Sequence, residues 1–198
     1  MQGNRLNPLA TLVEDRSLAF AADDPMAKTC TLALADGDGH ASARTLVLRE
    51  VTVNGLVVFM NQSSPKWRVL SSGGHYEVLL WYPSIQRQYR VQGTAKELAD
   101  GGVRESWQLR PDPGKRLDFL YRDHPQSSPI KDRTQLLQSV IARQQFIDGG
   151  HPPPNGVTAF QLTATMIERL DLSQELEVHD RRRFTLRGDV WISQVLVP

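Results

Sequence analysis

The chain predicts an α+β fold built on an antiparallel β-barrel. Three observations carry this. Segments with alternating apolar residues outnumber the helical ones, Asp/Gly-rich turns join some of them directly, and the helical segments are short and sit between strands rather than alternating with them regularly. A length of 198 residues fits one domain able to bury most of its apolar surface, and 40% hydrophobic with 23% charged residues is an ordinary globular balance.

In chain order, NPLATLVEDRSLAF reads as a helix. Asn7 can cap it, Pro8 suits its first position, and Leu9, Leu12 and Val13 form an apolar stripe. TCTLALADGDGHASARTLVLREV reads as two strands around an Asp/Gly turn, and GLVVFMN as a third strand. SPKWRVLSSGG reads as a short helix that starts from Ser64 and Pro65 and is closed by glycine. HYEVLLWY and RQYRVQGTAKEL add two strands. VRESWQLR and KRLDFLYR read as short helices on either side of a Pro-Asp-Pro-Gly break. In DRTQLLQSVIARQQF, Asp132 and Gln135 make a capping-box pattern, with Leu136, Leu137, Val140 and Ile141 on one face. GGHPPPNG is a loop, because its prolines suit neither a helix interior nor a strand. VTAFQLTAT, ELEVHDRRRF and DVWISQVLV close the chain as strands.

Several classes of function are disfavoured. Lys plus Arg number 23 and Asp plus Glu 22, so no overall charge calls for nucleic acid or an anionic membrane; RRR and KWR are the only hints of the former. Cys30 is the only cysteine, which rules out an internal disulfide and argues against a Cys-based zinc site. No apolar run is long enough to span a bilayer, and the N-terminus lacks the basic-then-apolar order of a signal peptide, so a cytoplasmic protein is expected. ADGDGH opens like a calcium loop, but Ala41 stands where glycine is needed and no acid closes the motif. Gly-rich phosphate loops, helical His pairs and Gly-x-Ser-x-Gly elbows are absent from the sequence.

The remaining candidates are polar residues inside apolar strands and at helix starts. Arg44 shares a strand face with Leu46 and Leu48, so it needs a carboxylate or a ligand phosphate as partner. Gln88, Arg90 and Gln92 share a face that reads either as an exposed edge strand or as a hydrogen-bonding row for a planar ring. Lys66 falls in a helix N-terminal turn, where an anion is favoured, and Gln126 and Ser127 precede a capped helix. His179, between acids and three arginines in ELEVHDRRRF, reads by itself as an exposed residue of a charged strand.

The order of SARTLVLR, FMNQSSPKWRVL, RQYRVQG, RP at 110 and 111, QSSPIKDR, VHDRRRF and WISQVLVP resembles the pyridoxamine 5′-phosphate oxidase family, from about Pro25 to Pro198. The resemblance implies one FMN-binding split-barrel domain over residues 1–198, forming a homodimer with FMN in the groove between subunits. It implies that Arg44 and Lys66 meet the FMN phosphate, that Thr45 and Val47 lie along the flavin, and that Gln88, Gln126 and Ser127 hydrogen-bond the cofactor. Arg181 would lie close to the flavin ring and His179 would contact substrate, the two forming the catalytic pair, while Arg49 and Arg110 would hold the substrate phosphate. The family oxidises pyridoxamine or pyridoxine 5′-phosphate, passing hydride to FMN and then to dioxygen. A flavin phosphate with about two negative charges suits Arg and Lys, and the flavin itself carries the redox chemistry.

This chain departs from the family mainly at the substrate end. Glu177 stands where an arginine usually covers the substrate, Ser106 where a tyrosine serves the phosphate site, and Arg49 where a lysine is usual. DPGKRLDFLYRDHP is longer than its counterpart, Pro65 replaces a phosphate-binding arginine, and the tryptophan expected near Leu170 is missing. The expectation is an FMN-binding oxidoreductase with an altered substrate site; the alternative is a non-catalytic flavin- or haem-binding split barrel.

Overall fold

The computed structural model describes residues 7–98, 101–108, 110–173 and 178–198. It opens with α1 (Pro8–Ala21), capped by the Asn7 side chain, which accepts from the Leu9 N–H at 3.0 Å. Strands β1 (Thr29–Ala35), β2 (Ala41–Thr52) and β3 (Gly55–Asn61) follow, then α2 (Pro65–Ser71), β4 (Tyr76–Tyr82) and β5 (Arg87–Glu97). Four short helices come next: α3 (Gly101–Gln108), α4 (Asp112–Leu120), α5 (Arg133–Ile141) and α6 (Gln144–Asp148). Strands β6 (Val157–Asp171), β7 (Asp180–Arg187) and β8 (Val190–Leu196) complete the described chain.

The sheet order is β3-β2-β1-β4-β5-β6-β7-β8, every pairing is antiparallel, and β3 also pairs with β6. That last pairing closes strands β1 to β6 into a six-stranded barrel, so the expected α+β split barrel is what forms. β6 makes the split. Its first part, Val157–Leu162, faces β3, while Met166–Asp171 at the far end faces β7, so β7 and β8 extend outside the barrel wall. Beside this divergence β5 shifts register between Gln92 and Gly93. A Cβ on Gly93 would overlap the Thr163 carbonyl, so only glycine permits the approach.

Alternation along the strands fills the barrel. Leu32, Val58, Val78, Leu80, Tyr89, Val91 and Leu162 are fully buried, each such side chain contributing about 1.5–3 kcal/mol relative to exposure. α1 closes one end with Leu9, Leu12 and Ala19. The same buried stripe carries Asp15, 4% exposed, which accepts from Arg87 Nη1 at 2.9 Å, from the Tyr89 hydroxyl, and from Arg169 Nε at 3.4 Å. Asp171 joins this network, accepting from Arg87 Nε at 2.9 Å and Arg169 Nη2 at 3.1 Å.

Three local expectations are corrected. DRTQLLQSVIARQQF is two helices, not one: the chain turns at Ala142 and Arg143, so that Arg143 pairs with Asp123 at 2.5 Å and Phe146 stacks on Phe119 at 4.8 Å. The apolar face of Leu136, Leu137, Val140 and Ile141 is left largely uncovered within one chain, with Leu137 47% and Ile141 68% exposed. Asp112, Pro113 and Gly114 do not break the helices but form the first turn of α4, where proline costs no hydrogen bond. RQYRVQ lies in an interior strand rather than at an edge, with β4 on one side and β6 on the other. The strand expected over ELEVHDRRRF is described only from Asp180; residues 174–177, including Glu177, lie outside the described residues.

Candidate functional site

A cavity of about 330 Å³ opens between the outer face of β2 and β3 and the α4 region. A bulge in β2 at Arg49, between Leu48 and Glu50, interrupts the ladder with β3, and Thr45, Val47 and Arg49 line the cavity. α2 supplies Lys66. Ser64 starts this helix by accepting from the Trp67 N–H, and Trp67 Nε1 donates to Glu97 on β5 at 3.2 Å, which pins the helix to the barrel. Lys66 is thereby held 8% exposed, donating from Nζ to Gln126 Oε1 at 3.0 Å. The Gln126 backbone N–H donates in turn to Ser63 Oγ at 3.0 Å. Ser127 completes that turn at φ +71°, a left-handed conformation unusual for serine.

Arg110 reaches the cavity from the start of the α4 segment and pairs with Asp118 at 3.1 Å; Trp107 Nε1 donates to the same carboxylate oxygen at 3.0 Å. Gly114 leaves room for Arg110, since a Cβ there would come within 2.8 Å of Arg110 Nε. Arg44 lies beside the cavity, and its guanidinium donates to Ser42 Oγ at 2.8 Å. Of the two partners expected for it, a carboxylate or a ligand phosphate, no carboxylate pairs with it among the described residues.

Charge therefore accumulates here. Arg49, Lys66 and Arg110 line the cavity with Arg44 close enough to repel Lys66, and among the described residues Asp118 is its one lining carboxylate. Burial, then repulsion from Arg44 and Arg110, lowers Lys66 to about 8, and burial followed by repulsion from Arg110 lowers Arg49. Burial pushes Asp118 up against the pull of Arg110, and pushes the Tyr121 phenol up as well. A half-open pocket with surplus cations is complementary to an anion.

The other expected residues lie elsewhere. Gln88 on β5 is opposite Leu170 on β6, which is opposite Arg181 on β7, so the three form a row across one face of the sheet extension. His179 is exposed just before β7. Arg181 donates to Glu168 Oε1 from Nε at 3.0 Å and Nη2 at 2.7 Å, while Arg90 and Arg183 approach the same buried carboxylate. Within one chain Gln88, His179 and Arg181 do not line the cavity that holds Thr45, Val47, Arg49, Lys66, Arg110 and Gln126.

Asp118, Tyr121 and Glu168 did not emerge from the sequence. An acid flanked by Leu117 and Phe119 in KRLDFLYR is a visible signal for Asp118. The partners that give Tyr121 and Glu168 their setting are supplied only by the fold.

The pyridoxine/pyridoxamine 5′-phosphate oxidase of Novosphingobium aromaticivorans is 32% identical over 182 residues, covering 91% of this chain and 87% of that protein. The chain belongs to the pyridoxine/pyridoxamine 5′-phosphate oxidase family. The oxidase of Ectopseudomonas mendocina is 30% identical over 171 residues, 85% of this chain and 77% of its own. No protein-family model matches the chain. Among solved structures, PhzG from Burkholderia lata, in complex with tetrahydrophenazine-1-carboxylic acid, superposes with a TM-score of 0.88 at 22% identity, over 99% of this chain and 95% of that one. A pyridoxamine 5′-phosphate oxidase-related, FMN-binding protein from Nostoc punctiforme superposes at 0.76 with 18% identity, over 98% and 99%. Both share the split barrel of the family.

Proposed function

We propose that this family member is an FMN-dependent oxidoreductase that acts as a homodimer and has a substrate pocket rebuilt away from vitamin B6 phosphates. The observation that carries the cofactor is the surplus of Arg44, Lys66 and their cationic neighbours at this half-open cavity, which fits a phosphate dianion. Arg44 and Lys66 would hold that phosphate, Gln126 and Ser127 would shape the turn beside it, and Thr45 and Val47 would line the path of the cofactor. FMN, when bound, supplies the two-electron acceptor.

The division of the candidate residues supports the homodimer reading. Gln88, His179 and Arg181 sit on the sheet extension of one chain, apart from the cavity, and a second copy would bring them to it. Val47 at 53% exposure, Ile141 at 68% and Val195 at 73% are apolar surface that such an association would cover. Glu168 would then fix the Arg181 guanidinium at the reacting end, and His179 would stand free to meet substrate.

The substrate reading rests on Glu177 and Ser106, which replace the family's arginine and tyrosine, beside a lengthened α4 region. Loss of a charged hydrogen bond costs roughly 1.5–3 kcal/mol, and a carboxylate adds repulsion toward a phosphorylated substrate. Efficiency on pyridoxamine 5′-phosphate should therefore be lower by about a hundredfold or more than a matched site would give. The reading is tested by peroxide production from pyridoxamine and pyridoxine 5′-phosphates by FMN-loaded wild type and Glu177→Arg. Little turnover by either is expected from a rebuilt pocket. Strong recovery in Glu177→Arg would show that the pocket is still a B6 pocket weakened at one position, and efficient wild-type turnover would overturn the role given to Glu177. The Burkholderia complex makes reduced aromatic carboxylic acids a second substrate class to assay, with amine substrates attracted by Glu177 as a third.

A further inference from the structure

A second concave site lies on the other side of Trp107 from Asp118. It is an open cleft of about 480 Å³ bounded by α3, α4, the end of α6 and the proline loop, with Arg104 and His151 exposed at its surface. Its basic side chains come from three separate elements: Arg104 from α3, Lys115 from α4 and His151 from the loop. Among the described residues, no Asp or Glu lines it. Among the described residues, the ion pair that these cations make is between Lys115 Nζ and Asp112 Oδ1, at 3.8 Å.

The site is held in shape by its surroundings. Lys115 Nζ lies 5.2 Å from the centre of the Trp107 ring, and the Trp107 indole is fixed by its bond to Asp118. His151 packs edge-on against Phe146 at 5.4 Å, and its backbone N–H donates to the Phe146 carbonyl at 3.0 Å. Its ring lies so close to Gly149 that a Cβ there would sit 3.0 Å from His151 Cδ2. Ile147, Pro152 and Pro153 supply apolar wall.

We infer that this cleft is a second ligand site, distinct from the Lys66 cavity, that binds a small organic anion. The acid group lies among Arg104, Lys115 and His151, and the apolar body rests on Ile147, Pro152 and Pro153. Three basic groups lining one cleft, with no lining acid among the described residues, favour a carboxylate or phosphate head, and the volume exceeds what a simple oxyanion needs. The site asks for neither a flavin nor a second copy of the chain.

The test uses FMN-loaded protein titrated with phenylphosphate, with phenol as the neutral control, read by calorimetry and by the ring NMR signals of His151 assigned with His151→Asn. The His151 signals should move with phenylphosphate and stay in place with phenol. Arg104→Gln/Lys115→Gln should weaken that response by about tenfold or more, Lys115→Arg should keep it, and Arg49→Gln should leave it unchanged. His151 signals that do not respond at millimolar phenylphosphate would overturn the inference. So would an equal response to phenol, or a response removed by Arg49→Gln but not by the Arg104/Lys115 pair.

Discussion

Arg44→Ala combined with Lys66→Met should yield a folded protein that purifies without flavin colour and fails to take up added FMN at concentrations that saturate the wild type. Each side chain is placed to give the phosphate a charged hydrogen bond, and losing one such bond costs roughly 1.5–3 kcal/mol, or about 10- to 150-fold in Kd. The two together should exceed either alone, although neighbouring charges that already repel each other will not add fully. Lys66 also sets a pH dependence. Burial and the nearby Arg44 and Arg110 hold it at about 8 without ligand, and a phosphate beside it raises that value. Binding above pH 8 therefore requires proton uptake, so FMN affinity should be greatest below pH 8 and fall as pH rises, by at most about tenfold per unit. Flavin fluorescence titrations across this range check both statements. Unchanged retention in the double variant, with circular dichroism confirming the fold, would remove the phosphate role from this cavity.

Asp15→Ala should destabilise the protein by about 3–5 kcal/mol, which for a chain of this size lowers Tm by roughly 10 °C. The carboxylate is buried between Arg87, Tyr89 and Arg169, so truncating it leaves two guanidinium groups and a phenol facing a small void. Asp171 can compensate only in part, because it already accepts from both arginines and from Ser173. Burial opposes ionisation of Asp171, but Ser173 and Arg87 outweigh it and bring the group to about 2. An acid lowered in the folded state stabilises above its ordinary range, so about 2 kcal/mol should be lost as pH falls from about 4 toward 2. Denaturant melts of wild type, Asp15→Ala and Asp15→Asn measure these effects. A loss under about 1 kcal/mol in Asp15→Ala would mean that the network is not what docks α1 on the barrel.

Much of this molecule was legible because its signals are local. The continuous apolar run of GLVVFMN, the strand pattern of HYEVLLWY, the Asn7, Ser64 and Asp132 caps, and the proline loop each depend on neighbours a few positions away, and each stands where expected. A cationic residue in an apolar strand likewise marked Arg44 as unusual, whatever the fold, whereas Arg49 was marked only by the family resemblance.

What needed the tertiary structure was every property set by residues distant in sequence. Closure of the barrel depends on β3 meeting β6 across about a hundred residues, and no local pattern encodes that pairing. Leu136 to Ile141 look like core because amphipathicity shows that a face is apolar, not what will cover it. Arg90 and Arg181 read like ligand-seeking cations, yet both pair with Glu168 because β5, β6 and β7 come into register. The sequence by itself determined the element types and the cationic residues available for an anion. Only the tertiary structure decided which of those cations are neutralised by the protein and which, around Lys66, remain in surplus. That distinction is a sum of charges over strands and helices far apart in the chain, and it exists only once they are packed together.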